Sequence, residues 1–204
     1  MIYEYQTLKN KYKEYTNINQ KISLEAKKGH LVKIKKGLYT DNLEIDAPII
    51  SNVCYGPSYI SFETALSYYG LIPEYVRMYT AACFGKKNRK LYIVDGLRFS
   101  YQSIPDEAFP YGMNFYQNED GIRYKIASKE KCLCDTLYAK YPVRSIKDLK
   151  ILLFEDLRID EEEFLKLDFN FIKEIAPLYH SNTLAVLVKY MEEIYENNRR
   201  NDSK

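Results

Sequence analysis

Tryptophan is absent from this chain of 204 residues, histidine occurs only twice, and its eight glycines never gather into a loop that could cradle phosphate. Neither His30 nor His180 has the spacing of a metal or triad motif, so no reaction centre is legible and the chain reads as a non-enzyme. The four cysteines, Cys54, Cys83, Cys132 and Cys134, contain no CxxC pair. That spacing argues against a zinc site and for buried thiols in a reducing compartment, and no metal or other cofactor is expected. No apolar run approaches the length of a bilayer span, and the polar opening residues exclude a secretory segment. The expectation is a cytoplasmic protein with no membrane partner.

What the chain has in abundance is tyrosine, 21 residues beside nine phenylalanines. Such rings fill a core and still leave amphipathic edges at contact surfaces, and they point to no single function. The net charge is only +2, but it is unevenly spread. Residues 1–40 hold nine lysines against three glutamates, or +6, which leaves the remainder at −4. A basic head on a mildly acidic body suggests a polyanionic partner at one end.

Within the head, Tyr5, Leu8, Tyr12 and Tyr15 recur with helical period, which predicts a first helix from about residue 2 to 15. Asn17 then caps a second helix from about Ile18 to Lys28, with Gln20 placed for a capping box, Ile22 and Ala26 on the buried side, and Gly29 as the stop. Beyond it the pattern alternates. Leu31, Lys33 and Lys35 face one way and Val32, Ile34 and Lys36 the other, before Gly37 turns the chain into Leu38 and Tyr39. Two helices followed by a small β-hairpin read as a winged helix-turn-helix. The expected DNA-binding residues are Asn19, Gln20, Lys21, Lys27 and Lys28 on the second helix, His30 just past it, and Lys33, Lys35 and Lys36 on the wing. Lysines supply charge to phosphates, whereas Asn19 and Gln20 carry the paired donor and acceptor that a base edge requires. A run of lysines is more often a solvated face, but here charge, helical spacing and turn chemistry agree.

Residues 42–55, with Pro48, read as a connection anchored by Ile49 and Ile50. Ser61 is placed to cap a helix whose stripe is Phe62, Ala65, Leu66 and Tyr69, stopped by Gly70 and Pro73. Arg77–Cys83, Lys90–Val94 and Leu97–Ile104 read as strands of a small antiparallel sheet, with Asp95-Gly96 as a hairpin turn. Lys86, Lys87, Arg89, Lys90 and Arg98 form a second basic cluster, read first as a solvated turn. Residues 105–121 read as a loop and 122–127 as another strand. Ser128 caps a helix to about Tyr141, lined by Leu133, Leu137 and Tyr141. From Pro142 onwards the pattern is helical, with Ser145 and Asp160 as caps and a final stripe of Leu184, Leu187, Val188, Met191, Ile194 and Tyr195. The polar tail from Asn197 is expected to fray.

Four stretches resemble one known family. They are Lys36-Gly37-Leu38-Tyr39, the segment from Pro57 to Pro73, Ala127-Ser128-Lys129-Glu130-Lys131-Cys132-Leu133-Cys134-Asp135, and Glu155-Asp156-Leu157-Arg158-Ile159-Asp160. In this order they look like the signatures of the AbiE-type abortive-infection antitoxins (the AbiEi family, of type IV toxin-antitoxin systems), partners of nucleotidyltransferase-like toxins. One departure is Cys132, where alanine is usual, and the N-terminal module is shorter than in many relatives.

The resemblance implies an autorepressor that binds its own promoter as double-stranded DNA, and a C-terminal domain that counteracts the cognate toxin. The expected architecture is α+β: a winged helix-turn-helix over 1–50, then an antitoxin domain over 51–204 with a small antiparallel sheet and a helical C-terminal part. The competing expectation is a stand-alone transcription factor whose body senses a ligand.

Overall fold

The structure is a computed structural model that describes residues 1–41, 46–85, 89–117 and 121–201, with side chains to residue 196. β1 (Ile2–Glu4), α1 (Tyr5–Lys11), α2 (Ile18–Lys27), β2 (Val32–Lys35) and β3 (Leu38–Thr40) follow one another at the N-terminus. The three strands form an antiparallel sheet in the order β1-β3-β2. The first helix therefore starts at Tyr5 and not at residue 2. Ile2 and Tyr3 are drawn into a strand by pairing with Thr40 and Tyr39, a long-range ladder to which a helical spacing pattern is blind. The helix also ends at Lys11, so Tyr15 lies outside it.

α2 matches its expected bounds. Asn17 Oδ1 accepts from the Gln20 N–H at 3.0 Å, Ile22 is buried, and Gly29 takes the left-handed conformation that ends the helix. Leu8, Ile22 and Leu31 form a buried cluster against which Tyr3, Tyr5, Tyr12 and Tyr39 pack. Because Tyr3 and Tyr39 are cross-strand partners, their side chains share one face of the sheet, and that face carries α1 and α2.

The segment read as a connection contains α3 (Ala47–Cys54), which lies across the expected division at residue 50. Pro48 sits in its first turn, where a missing N–H breaks no helical bond, and Ile49 and Ile50 are buried as anchors. Next come β4 (Ser58–Ile60), α4 (Phe62–Tyr68), β5 (Met78–Cys83), β6 (Lys90–Val94), β7 (Leu97–Ser103), β8 (Met113–Gln117) and β9 (Arg123–Ala127). The body's sheet is neither small nor purely antiparallel: six strands run β6-β7-β5-β4-β9-β8, with β5 parallel to β7 and β4 parallel to β9. The Asp95-Gly96 hairpin forms as expected, both residues having positive φ. It folds back so that β7 inserts between β6 and β5.

β8 occupies part of the expected loop, paired along its length with β9. Just before it, Gly112 has φ +65, and a Cβ there would stand 2.8 Å from Lys131 Cβ, so only glycine fits this approach. Of the second basic cluster, Lys86 and Lys87 lie outside the described residues.

α5 (Lys129–Ala139) is capped by Ser128, whose Oγ accepts from the Lys131 N–H. It ends before Tyr141, which is exposed and not part of the buried stripe. α6 (Ile146–Lys150) continues into a π-helical turn, Ile151–Asp156. α7 (Glu161–Leu165), α8 (Phe169–Ile175), a 3-10 turn (Ala176–Tyr179) and α9 (Asn182–Asn201) complete the chain. Ser145 and Asp160 cap as expected. α9 buries Leu184, Leu187 and Met191 while leaving Tyr195 exposed, and it continues to Asn201, into the stretch expected to fray. No helix among the described residues is long and apolar enough to cross a membrane.

A buried polar network pins α5 to the rest of the body. Lys131 and Asp135 are both fully buried and pair at 3.1 Å, one helical turn apart. Lys131 Nζ also donates to Ala108 O (2.8 Å) and to the Tyr179 hydroxyl (2.5 Å). Asp135 accepts from the Tyr179 hydroxyl (2.5 Å) on one oxygen, and from Tyr59 (3.0 Å) and Ser61 (2.6 Å) on the other. All three ammonium protons and both carboxylate oxygens are used. Burial, reinforced by the Asp135 charge, pushes the Tyr59 and Tyr179 phenols well above their usual range, so both remain donors.

Ser61 is thereby withdrawn from its expected cap: it holds the N-cap position of α4 but makes no capping bond. The Thr64 N–H is satisfied from β5 instead, by Thr80 Oγ1 at 3.0 Å.

Candidate nucleic-acid interface

α2 is held by its inner side and free on its outer one. Its contact with α1 and the sheet runs through Ile22, supported by Ile18 and Ala26. With 3.6 residues per turn, Gln20, Leu24 and Lys27 fall on the opposite side, and all three are exposed, as is Lys28 at the C-cap. Leu24 is 46% exposed in the middle of this face, an apolar residue that charge and hydrogen-bonding capacity do not single out in the sequence.

The other expected residues of α2 have partners. Asn19 Oδ1 accepts from the Tyr5 hydroxyl at 2.6 Å, which takes up one of the two lone pairs of its amide oxygen. Lys21 Nζ lies 2.8 Å from Glu25 Oε1, and His30 Nδ1 lies 2.9 Å from Glu25 Oε2. The hydrogen bonds from Lys21 and then His30 hold the Glu25 carboxyl down at about 2. Lys21 also sits over the Tyr15 ring at 4.7 Å, an electrostatic contact with the ring face. Lys21 and His30 thus belong to a clamp that closes α2.

The hairpin divides its lysines between two faces. Lys33 pairs with Tyr39, whereas Lys35 pairs with Leu38, because the register shifts between them. A bulge of this kind opposes two residues to one and reverses the alternation. Lys33 therefore shares the face that carries the helices and is exposed. Lys35 turns to the body, where its Nζ donates to Val53 O (2.9 Å) and Cys54 O (3.0 Å) at the end of α3. The expectation that Lys33 and Lys35 face the same way is corrected by this bulge, and Lys35 works as a cap for the carbonyl end of a helix. Lys36 is exposed at the turn.

Lys27, Lys28, Lys33 and Lys36 remain as exposed ammonium groups that make no ion pair among the described residues. They run from the end of α2 to the hairpin tip. Lys11 and Lys13 near α1 are exposed as well. Lys11 stands 4.9 Å over the Tyr3 ring, a placement visible only once β1 is recognised as a strand. Among the described residues there is no group of three or more His, Cys, Asp or Glu side chains that could hold a metal ion. No protein-family model matches the chain, and no curated protein matches it.

Proposed function

We propose that this chain is a DNA-binding autorepressor of the winged helix-turn-helix type that also serves as the antitoxin of a toxin-antitoxin pair. The observation that carries the first half is the outer face of α2. It offers Gln20, Leu24, Lys27 and Lys28 to solvent, with Lys33 on the helix side of the adjoining hairpin and Lys36 at its tip.

In this reading α2 enters the major groove. Gln20 has the donor and acceptor needed for an adenine edge, Leu24 has the apolar surface suited to a thymine methyl, and the lysines contact phosphates on either side. With Lys21, His30 and Lys35 held by partners of their own, about four free ammonium groups remain on this face to displace counterions. The expected slope of log affinity against log salt is then about −3 to −4. The second half rests on the resemblance of four stretches to the AbiE-type antitoxins. It assigns the body the task of counteracting a nucleotidyltransferase-like toxin and places both partners in the cytoplasm.

Fluorescence anisotropy with a duplex from the chain's own promoter, against a scrambled duplex of equal length, tests the DNA reading. Preference for the promoter and a slope in the stated range are expected; equal binding of both duplexes would overturn sequence reading. For the antitoxin role, co-expression with the neighbouring nucleotidyltransferase-like frame should restore growth, and absence of rescue would remove that half of the proposal.

A further inference from the structure

We propose that β6 is a self-pairing edge, through which two copies of this chain join their six-stranded sheets antiparallel about Tyr92. β6 is a terminal strand of its sheet. Among the described residues no backbone hydrogen bond from outside the sheets reaches it. Leu91 and Ile93 are 60% and 65% exposed on it. Edge strands are ordinarily blunted by charge, proline, bulges or a covering element. Here two branched aliphatic side chains stand uncovered on the same face.

Its backbone is also set for pairing. The two-residue turn at Asp95-Gly96 makes Val94 and Leu97 the closing hydrogen-bonded pair of the hairpin. Bonded and non-bonded pairs alternate along an antiparallel ladder, so Leu91 and Ile93 direct their N–H and C=O groups away from β7. A second β6 laid antiparallel about Tyr92 places Leu91 opposite the partner's Ile93, and Ile93 opposite the partner's Leu91. Four outward backbone bonds and one aliphatic cluster of four side chains result.

The charges at the ends fit the same register. Arg89 comes opposite the partner's Asp95, and Asp95 opposite the partner's Arg89. Asp95 is exposed and makes no ion pair among the described residues. Among the described residues Arg89 bonds only through its Nε, at 3.1 Å from Ser100 Oγ, which leaves the terminal nitrogens of its fork for a carboxylate. A strand slipped by one residue would lose both the charge pairing and the aliphatic pairing, because side chains alternate faces with period two. The inner face of β6 is already spoken for: Val94 lies in the cluster that also holds Ile34 of β2. Self-pairing through the outer edge leaves that packing untouched.

Association is measured on the full chain without DNA, so its failure is separate from a failure of the DNA reading. Sedimentation velocity over roughly 1 to 300 μM should show a monomer giving way to a dimer, as expected for a small interface of this kind. Leu91→Lys/Ile93→Lys, which sets lysine against lysine, should remain monomeric throughout. Its melting temperature should match wild type because both side chains are exposed. Ile93→Pro should do the same by deleting an outward N–H that β7 does not use. Asp95→Asn keeps a residue suited to the turn and should weaken association about fivefold through loss of two symmetric ion pairs. A wild-type chain that stays monomeric at the highest concentration overturns the proposal. So does a folded double-lysine variant that dimerises like wild type, and an Asp95→Asn chain of unchanged affinity overturns the register.

Discussion

Lys131 and Asp135 each look, in sequence, like ordinary polar positions of a capped helix. In the fold both are fully buried and each satisfies the other together with Tyr59, Ser61, Ala108 and Tyr179. Removing one partner leaves an uncompensated charge in the core, so Lys131→Met should destabilise the protein by about 3–5 kcal/mol in urea titration. Adding Asp135→Leu should recover only part of that loss, because the Tyr59 and Ser61 hydroxyls then lose their acceptor. A fully restored double variant would mean that those hydroxyls find other partners.

Glu25 provides the pH-dependent counterpart. Its carboxyl is lowered from an ordinary value of 4.5 to about 2 by Lys21 and His30. A depressed carboxylate contributes fully above its unfolded value, and that contribution is lost as pH falls through the folded one. Wild type should therefore melt higher than Glu25→Gln at pH 6, and the gap should close between about pH 4.5 and about pH 2. A gap as wide at pH 2 as at pH 6 would refute the clamp.

The elements that were readable in advance are those fixed by local chemistry. Asn17 caps α2, Gly29 ends it, Ser128 caps α5 and Asp95-Gly96 turns the β6–β7 hairpin, each through contacts within a few residues. What escaped local reading depends on distant partners. β1 exists because β3 returns beside it, and β8 because β9 does. The bulge between Lys33 and Lys35 is the instructive case, since one unpaired residue decides whether a lysine meets solvent or caps α3. Lys33→Ala should lower promoter affinity and reduce the salt slope by about 1. Lys35→Ala should leave the slope unchanged and lower stability, since two buried-side carbonyls lose their donor. Equal effects on the slope would place both ammonium groups on the same surface.

At the scale of the molecule, the small N-terminal sheet is shared between two cores. One face carries α1 and α2, while Ile34 of β2 enters the cluster of Ala47, Ile50, Val94, Phe99 and Tyr101. Because buried apolar contacts cross between the head and the body, both should unfold in one transition. Tyrosine fluorescence and DNA binding should then be lost at the same urea concentration, and a head that melts first would show that the contact is weak. Replacing Lys27, Lys28, Lys33 and Lys36 by alanine should abolish promoter binding yet preserve rescue from the toxin, as a growth assay can decide.

The sequence by itself determined the bounds of α2, the starts of α5, α6 and α7, the turn at Asp95-Gly96 and that positive charge gathers at the head, because caps, glycine stops and composition act over a few residues. Only the tertiary structure decided which of those charges remain free. Glu25 and the end of α3 take up Lys21, His30 and Lys35, and the buried pair Lys131–Asp135 reassigns Ser61. The Glu25 contacts are local, with Lys21 one helical turn away, and their spacing is written in the chain; the partners of Lys35 and Ser61 are brought near by strand pairing and helix packing, and spacing along the chain carries no record of them.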